Sequence, residues 1–254
     1  MRFVLCAAFV AVVLSTAARA ERLTVALSSP EVQINSSFSG AALTVFGVIE
    51  RDASTLSRTG SYDVAVVLVG PPETVVARRK EHVLGIWANR GAQTIAGVPA
   101  LYSLSSSAKL DLVATSTVLS RLQVGYDNIA FRFEGDPTLN DPVAKDFRDA
   151  FIRLKEKAGL YHQQVGVNFI GDTIFRTTLF LPANIPVGRY TAEAYLFSGQ
   201  SLVARAEDTL RVSKTGVEDN LFNFAHGQSL IYGLLCVLTA LVVGWLGGVI
   251  FRRD

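Results

Sequence analysis

Arg78-Arg79-Lys80-Glu81-His82 is the densest run of chemistry-bearing side chains in the sequence. Successive side chains on a strand point to opposite faces, so Arg78, Lys80 and His82 would share one face and could take an anion or an acidic partner. The same pattern describes an exposed edge strand guarded by charge, and that plainer reading is preferred. A second group, Glu134, Asp136, Asn140 and Asp141, offers the oxygen ligands that calcium takes, yet Asp-Pro turns and a helix cap account for it. His82, His162 and His226 lie far apart without short ligand spacing, so no metal centre is expected.

Nucleophile and cofactor signatures are missing from the sequence. It holds no G-x-S-x-G elbow, no H-E-x-x-H, no phosphate loop and no G-x-G-x-x-G fingerprint. Cys6 falls in an N-terminal apolar run and Cys236 in a C-terminal one. The region between them has no thiol, which excludes a disulfide framework, cysteine-ligated zinc, a redox pair and a cysteine nucleophile there. Met1 is the only methionine, so thioether copper sites are excluded too. The sequence therefore points to a protein without a cofactor and away from an enzyme. A site assembled from distant carboxylates, serines and histidines is the enzymatic alternative.

The longest apolar run lies near the end. Residues 230–251 are 22 residues without a charge, and at about 1.5 Å per residue they make roughly 33 Å of helix, enough for a hydrocarbon core of about 30 Å. Arg252 and Arg253 follow it, which predicts a cytoplasmic tail at 252–254. Within the span Cys236, Ala240, Gly244 and Gly248 recur every four residues, a small-residue ridge that would let another helix approach closely. At the other end, Arg2 precedes a short apolar run and Ala18-Arg19-Ala20 precedes Glu21, the pattern of a cleaved signal peptide over residues 1–20.

These segments distort the overall charge of +2. Setting aside Arg2, Arg19, Arg252, Arg253 and Asp254 from totals of 24 basic and 22 acidic residues leaves 20 and 21. A nearly neutral body gives no sign of nucleic-acid binding. It is also long enough to bury a core without disulfide staples.

That body reads mainly as strands. Residues 22–97 alternate or run apolar between Gly, Pro and Ser, most clearly in YDVAVVLV at 62–69, and strands return at 165–212. Asp141-Pro142 starts a helix whose apolar residues Val143, Phe147, Ala150, Phe151, Leu154 and Ala158 recur at helical spacing up to Gly159. A weaker helix is expected within 107–123, with Leu110, Val113 and Leu119 inward. Pro186-Val187-Gly188 leads into a strand with Tyr190 at its start, as immunoglobulin-like sandwiches often have. The expected architecture is mainly β, an immunoglobulin-like antiparallel sandwich over 21–212 with a helical insertion at about 100–160. A juxtamembrane stalk at 213–229 and the span at 230–251 follow it, and two smaller β domains are the alternative.

Phe38-Ser39-Gly40-Ala41 with Thr44-Val45-Phe46-Gly47, then Gly70-Pro71, Lys80 with Gly85-Ile86-Trp87-Ala88-Asn89, Leu181-Pro182 to Tyr190, and Lys214-Thr215-Gly216 before the span together resemble the putative transmembrane proteins of alphaproteobacteria. The resemblance implies a bacterial inner-membrane protein, single-pass, with a periplasmic N-terminal domain and a cytoplasmic C-terminus. It carries over no site residues. The expected role is a membrane-anchored interaction module, an accessory subunit of a transporter or envelope complex, meeting another membrane protein or itself through the span. The alternatives are a periplasmic anion or solute binder, or an enzyme.

Overall fold

A computed structural model describes residues 21–51, 61–83, 86–134, 142–215 and 225–250; for 79–83, 86–91, 249 and 250 it describes the backbone alone. The expected signal peptide, Leu84 and Gly85, most of the stalk with Phe222 and Phe224, and Arg252 and Arg253 lie outside the described residues. So do Asp136, Asn140 and Asp141 of the candidate calcium loop.

The mainly β reading holds. One sheet runs β1 (Arg22–Leu27), β3 (Gly40–Glu50), β11 (Ile174–Pro182), β10 (Asn168–Ile170). The second runs β2 (Glu31–Ile34), β13 (Ser201–Lys214), β12 (Gly188–Ser198), β4 (Tyr62–Val69), β7 (Tyr102–Ser106), β9 (Tyr161–Val165). A third joins β5 (Pro72–Val83), β6 (Ile86–Pro99) and β8 (Arg132–Glu134). Pairing is antiparallel except at β2–β13 and β7–β9, which are parallel.

The β4 sequence explains how the layers stack. A strand buried on one face alternates apolar and polar residues, whereas YDVAVVLV is nearly all apolar, the signature of burial on both faces. Val64, Val66 and Leu68 face the first sheet, packing with Leu43, Val45, Leu179, Leu181 and Tyr190. Ala65 and Val67 face a second core with Tyr102, Leu104, Ile95, Phe131 and Phe151. The six-stranded sheet is therefore the middle layer, with the first sheet on one side and the insertion and third sheet on the other.

Four α-helices of four residues or more are described. α1 (Leu110–Val113) and α2 (Ser116–Leu122) replace the single helix expected within 107–123, the chain being extended at Ala114 and Thr115 between them. Val113 and Leu119 point inward as expected. α3 (Pro142–Lys157) starts at the expected proline and buries Ala144, Phe147 and Phe151. Val143 and Leu154, expected inward, are instead 43% and 68% exposed, because the buried stripe follows the i, i+4 row 147, 151, 155 and leaves them on its flanks. Gly159 closes the helix at φ +72°, its amide bonded to the Glu156 carbonyl and the Leu160 amide to that of Lys155, a Schellman pair. α4 (Ser229–Ile250) is the apolar span.

Tyr102–Ser106, within the stretch expected to be helical, is a strand. Its serines hide the strand signal, and two of the three are tolerated inside because neighbours bond them: the Ser106 hydroxyl donates to the Ala108 carbonyl at 2.6 Å and the Ser105 hydroxyl lies 2.7 Å from that of Thr177, while the buried Ser103 hydroxyl has no partner. Two details fix the last hairpin. Gly199 and Gln200 both have positive φ, the two-residue turn that matches strand twist. Tyr190, fully buried, donates its hydroxyl to the Pro186 carbonyl at 2.6 Å and ties the entry of β12 to its own loop. Tyr190→Phe should cost about 1 kcal/mol with little change in packing, measurable by urea denaturation.

Candidate functional site

The side chains that could do chemistry gather on the middle sheet's second face, beneath the insertion. Tyr102 from β7, Tyr161 from β9 and Tyr126 from a short 3-10 turn (Tyr126–Asn128) form a triangle of rings 5.9 to 6.0 Å apart. Phe151 of α3 meets Tyr161 edge-on at 5.8 Å and Phe131 at 5.6 Å. Tyr102 donates to the Gln123 carbonyl at 3.1 Å and accepts from the Gly125 amide at 2.8 Å, and Tyr161 donates to the Pro99 carbonyl at 2.8 Å.

Two cations enter this cluster. Lys155 continues the buried row of α3, pairs with Glu73 of β5 and donates to the Ala100 carbonyl at 3.2 Å. Its ammonium sits 5.5 Å from the centre of the Phe151 ring and 6.0 Å from that of Tyr161. Arg148, two turns earlier, lies over Phe131 at 5.3 Å and donates to the Tyr126 carbonyl at 3.0 Å. Burial drives the Tyr102, Tyr126 and Tyr161 phenols well above their ordinary value, and at Tyr161 the Glu73 charge adds to it. These phenols stay protonated at neutral pH, and those of Tyr102 and Tyr161 serve as donors to backbone carbonyls. Such groups pin the insertion to the sheet; they have no basic form ready to accept a substrate proton.

A cavity of about 420 Å³ opens beside this cluster, between β9 and the loops of the insertion. Leu110, Leu119 and Tyr126 contribute its apolar lining, and Lys109, Asp111, Asp127, Asn128 and Gln163 its polar lining. Behind β9 a polar pin joins the two layers. Thr177 of β11 has its hydroxyl 3.0 Å from the Gly166 carbonyl and 2.7 Å from the Ser105 hydroxyl. A carbonyl can only accept, so Thr177 donates to Gly166 and accepts from Ser105. Thr177 and Ser105 are both buried. Thr177→Val, which takes the buried Ser105 hydroxyl's partner away and leaves the Gly166 carbonyl with the Asn168 side-chain amide at 3.3 Å, should cost about 2 kcal/mol, seen as a lower denaturation midpoint with unchanged slope.

The residues singled out in the sequence are scattered by comparison. Arg78 is exposed on β5 in a groove of about 460 Å³ whose lining also holds Asp146, Asp149 and Arg153 of α3, two carboxylates and a second cation. Lys80 and His82 are on the same strand, but their side chains lie outside the described residues. Glu134 is exposed on β8. Among the described residues no three His, Cys, Asp or Glu side chains come together as a metal site would require. Cys236, Ala240, Gly244 and Gly248 all lie on α4, and a Cβ at Gly244 or Gly248 would meet no other part of the chain. The Lys155–Glu73 pair and the tyrosine triangle went unnoticed in the sequence. Lys155 had one legible signal, its position four residues beyond Phe151 in the apolar row.

Ser229–Gly248 has a mean hydropathy of 2.2 and no residue buried against the rest of the chain, as a helix whose surroundings are lipid would. A family model described as Putative transmembrane protein (Alph_Pro_TM) matches residues 22–253, nearly the whole chain. The chain belongs to that family. No curated protein and no solved structure matches it. Family and helix together fit this transmembrane protein as single-pass, with a β-rich body preceding the span.

Proposed function

We propose that this Alph_Pro_TM member is a membrane-anchored interaction module, an accessory subunit to another protein of the bacterial inner membrane. Its body stands in the periplasm and its C-terminus in the cytoplasm, as Arg252 and Arg253 after the span favour. The strand order supports an immunoglobulin-like body: β1 and β2 divide the first strand between the two sheets, β2 runs parallel to the last strand, and Tyr190 holds the corner before the penultimate one.

The observation that carries the proposal is the outer face of the first sheet. A sheet facing water places polar residues outward, yet Phe46, Val48, Ile170, Ile174 and Phe180 are each 40 to 57% exposed there. Register sets Val48 beside Ile174 and Ile174 beside Ile170, with Phe46 opposite Arg176, so four of these residues form one patch, and Phe180 stands apart beyond the Thr44–Thr178 pair. Solute binding through Arg78 is disfavoured by the carboxylates in its groove.

The test is affinity purification of the tagged full chain in mild detergent, with mass spectrometry of stoichiometric partners. A multi-pass protein should be recovered, and Ile174→Glu should reduce its recovery by about tenfold without moving the melting temperature, a charge being poorly tolerated where an apolar contact forms. Gly244→Leu with Gly248→Leu should reduce recovery independently, through the span. Recovery of the protein alone would overturn the proposal.

A further inference from the structure

The outer edge of β9 is an open backbone ladder. In its parallel pairing with β7, the Tyr102 amide bonds the Leu160 carbonyl and the Gly166 amide bonds the Ser106 carbonyl, so residues 160, 162, 164 and 166 turn their peptide groups toward β7. Those of Tyr161, Gln163 and Val165 point the other way, where no described strand pairs with them. Proteins ordinarily blunt such edges. Here β1 carries Arg22, β2 Glu31, β5 its basic run and β8 Arg132 and Glu134, while β10 is only three residues long. β9, with the sequence YHQQV, has neither Asp, Glu, Lys, Arg nor Pro, and Gln163 and Val165 are exposed.

We propose that β9 is a docking strand that accepts an extended segment of a partner protein carrying a lysine or arginine, by β-strand addition. This rests on the interaction-module reading and names the surface. Gln163 and Val165 also line the 420 Å³ cavity, so alternate side chains of an added strand would reach it. That cavity offers the apolar Leu110 and Leu119 and two carboxylates, Asp111 and Asp127, against the single cation Lys109. The surplus negative charge selects a basic side chain.

Chain length argues against a second copy as the occupant. Three antiparallel pairings and one parallel pairing separate β13 from β9, so the two run in opposite directions. Two copies joined through antiparallel β9 strands would therefore send their β13 C-termini out of opposite ends of one continuous sheet. β13 is 14 residues long, about 46 Å at roughly 3.3 Å per residue. Only the 14 residues 215–228 separate β13 from α4, a reach of at most about 50 Å. One copy would spend its whole connection returning to the shared bilayer.

The experiment pans the full chain in lipid nanodiscs against a library of random linear nonapeptides. Binders are then compared on wild type, Gln163→Ala and Gln163→Pro. Proline removes only an outward-facing N–H and leaves the β7 ladder intact, so Gln163→Pro should weaken selected peptides by about tenfold or more, whereas Gln163→Ala keeps the N–H and should change little. Selected sequences should share a lysine or arginine, and Asp127→Asn should weaken them. Should Gln163→Pro fail to fold, methylation of alternate peptide amides tests the same ladder on the intact protein and should abolish binding. No enrichment, binding indifferent to both backbone changes, or wild-type dimers that Gln163→Pro dissociates would each overturn the assignment, the last by placing a second copy on the edge. A stoichiometric partner recovered equally with wild type and Gln163→Pro would sink the β9 assignment while leaving the interaction module standing. Peptides bound through β9 without any recoverable membrane partner would do the reverse.

Discussion

Gly47→Ala should remove about 3 kcal/mol of stability, a fifth to more than half of the roughly 5 to 15 kcal/mol that keeps an ordinary domain folded. Position 47 lies on the buried face of β3, directly opposite Phe175 of β11. The Phe175 ring is fully buried and lies over the glycine, so a Cβ there would come within 2.0 Å of its Cζ and 2.3 Å of Cε1. Those are covalent-scale separations, and the ring has no spare room because Phe169 packs on it at 6.1 Å. Either the ring leaves its rotamer or β3 and β11 move apart. Phe175→Leu alone should also destabilise, by loss of buried area. In the double variant the methyl finds space, so the combined cost should fall well short of the sum of the two. Urea denaturation of the four proteins measures that coupling, and additive costs would show that the ring and the glycine do not share the space described.

Raising the pH should unfold the body steeply between about pH 10 and 12. Four tyrosines, Tyr102, Tyr161, Tyr190 and Tyr195, are at most 2% exposed. Burial raises each phenol above its ordinary value near 10, Tyr190 being pushed up to about 12 and the others further, with the Glu193 hydrogen bond adding to burial at Tyr195. The sign follows from proton counts. Below pH 10 folded and unfolded chains both hold these protons and stability is unaffected. Above it the unfolded chain releases them and the folded chain does not, so each tyrosine withdraws about 1.4 kcal/mol per pH unit until its own folded value is reached. Four together withdraw about 5 to 6 kcal/mol per unit, comparable with the whole stability of many domains. Tyrosinate absorbance should therefore rise together with loss of circular dichroism, and the four should ionise as one event. Gradual ionisation near pH 10 with the fold intact would show that the phenols are accessible to water.

Much of the layering is legible once periodicity is compared strand by strand. The apolar continuity of YDVAVVLV reveals a strand, and its departure from alternation reveals a middle layer. The serines of β7 conceal the neighbouring strand, because the burial of Ser105 and Ser106 depends on Thr177 and Ala108, which no local pattern discloses. Pro142 and Gly159 mark the ends of α3 correctly. Its inward face is shifted from expectation because Lys155 takes a place in the buried row that a hydropathy scale denies to lysine, and Glu73, 82 residues earlier, makes that possible. The chemistry-bearing run at 78–82 drew attention by density alone. The cavity and the bare edge of β9 arise from segments that are individually unremarkable and meet only through the parallel β7–β9 pairing.

The strand order also dictates a schedule. β3 waits for β11, whose residues lie about 130 positions later, and β4 waits for β12. As the chain is made, the early strands of the sandwich remain without their main neighbours until most of the body has been synthesised. The β5–β6 hairpin, needing only local pairing, can form long before. By the time β13 is complete, only 14 residues remain before the span. Closure of the sandwich and arrival of the anchor thus fall almost together, so the exposed half-sandwich is the state most in need of protection from aggregation. A chain cut short before residue 174 would keep that hairpin and forfeit the sandwich.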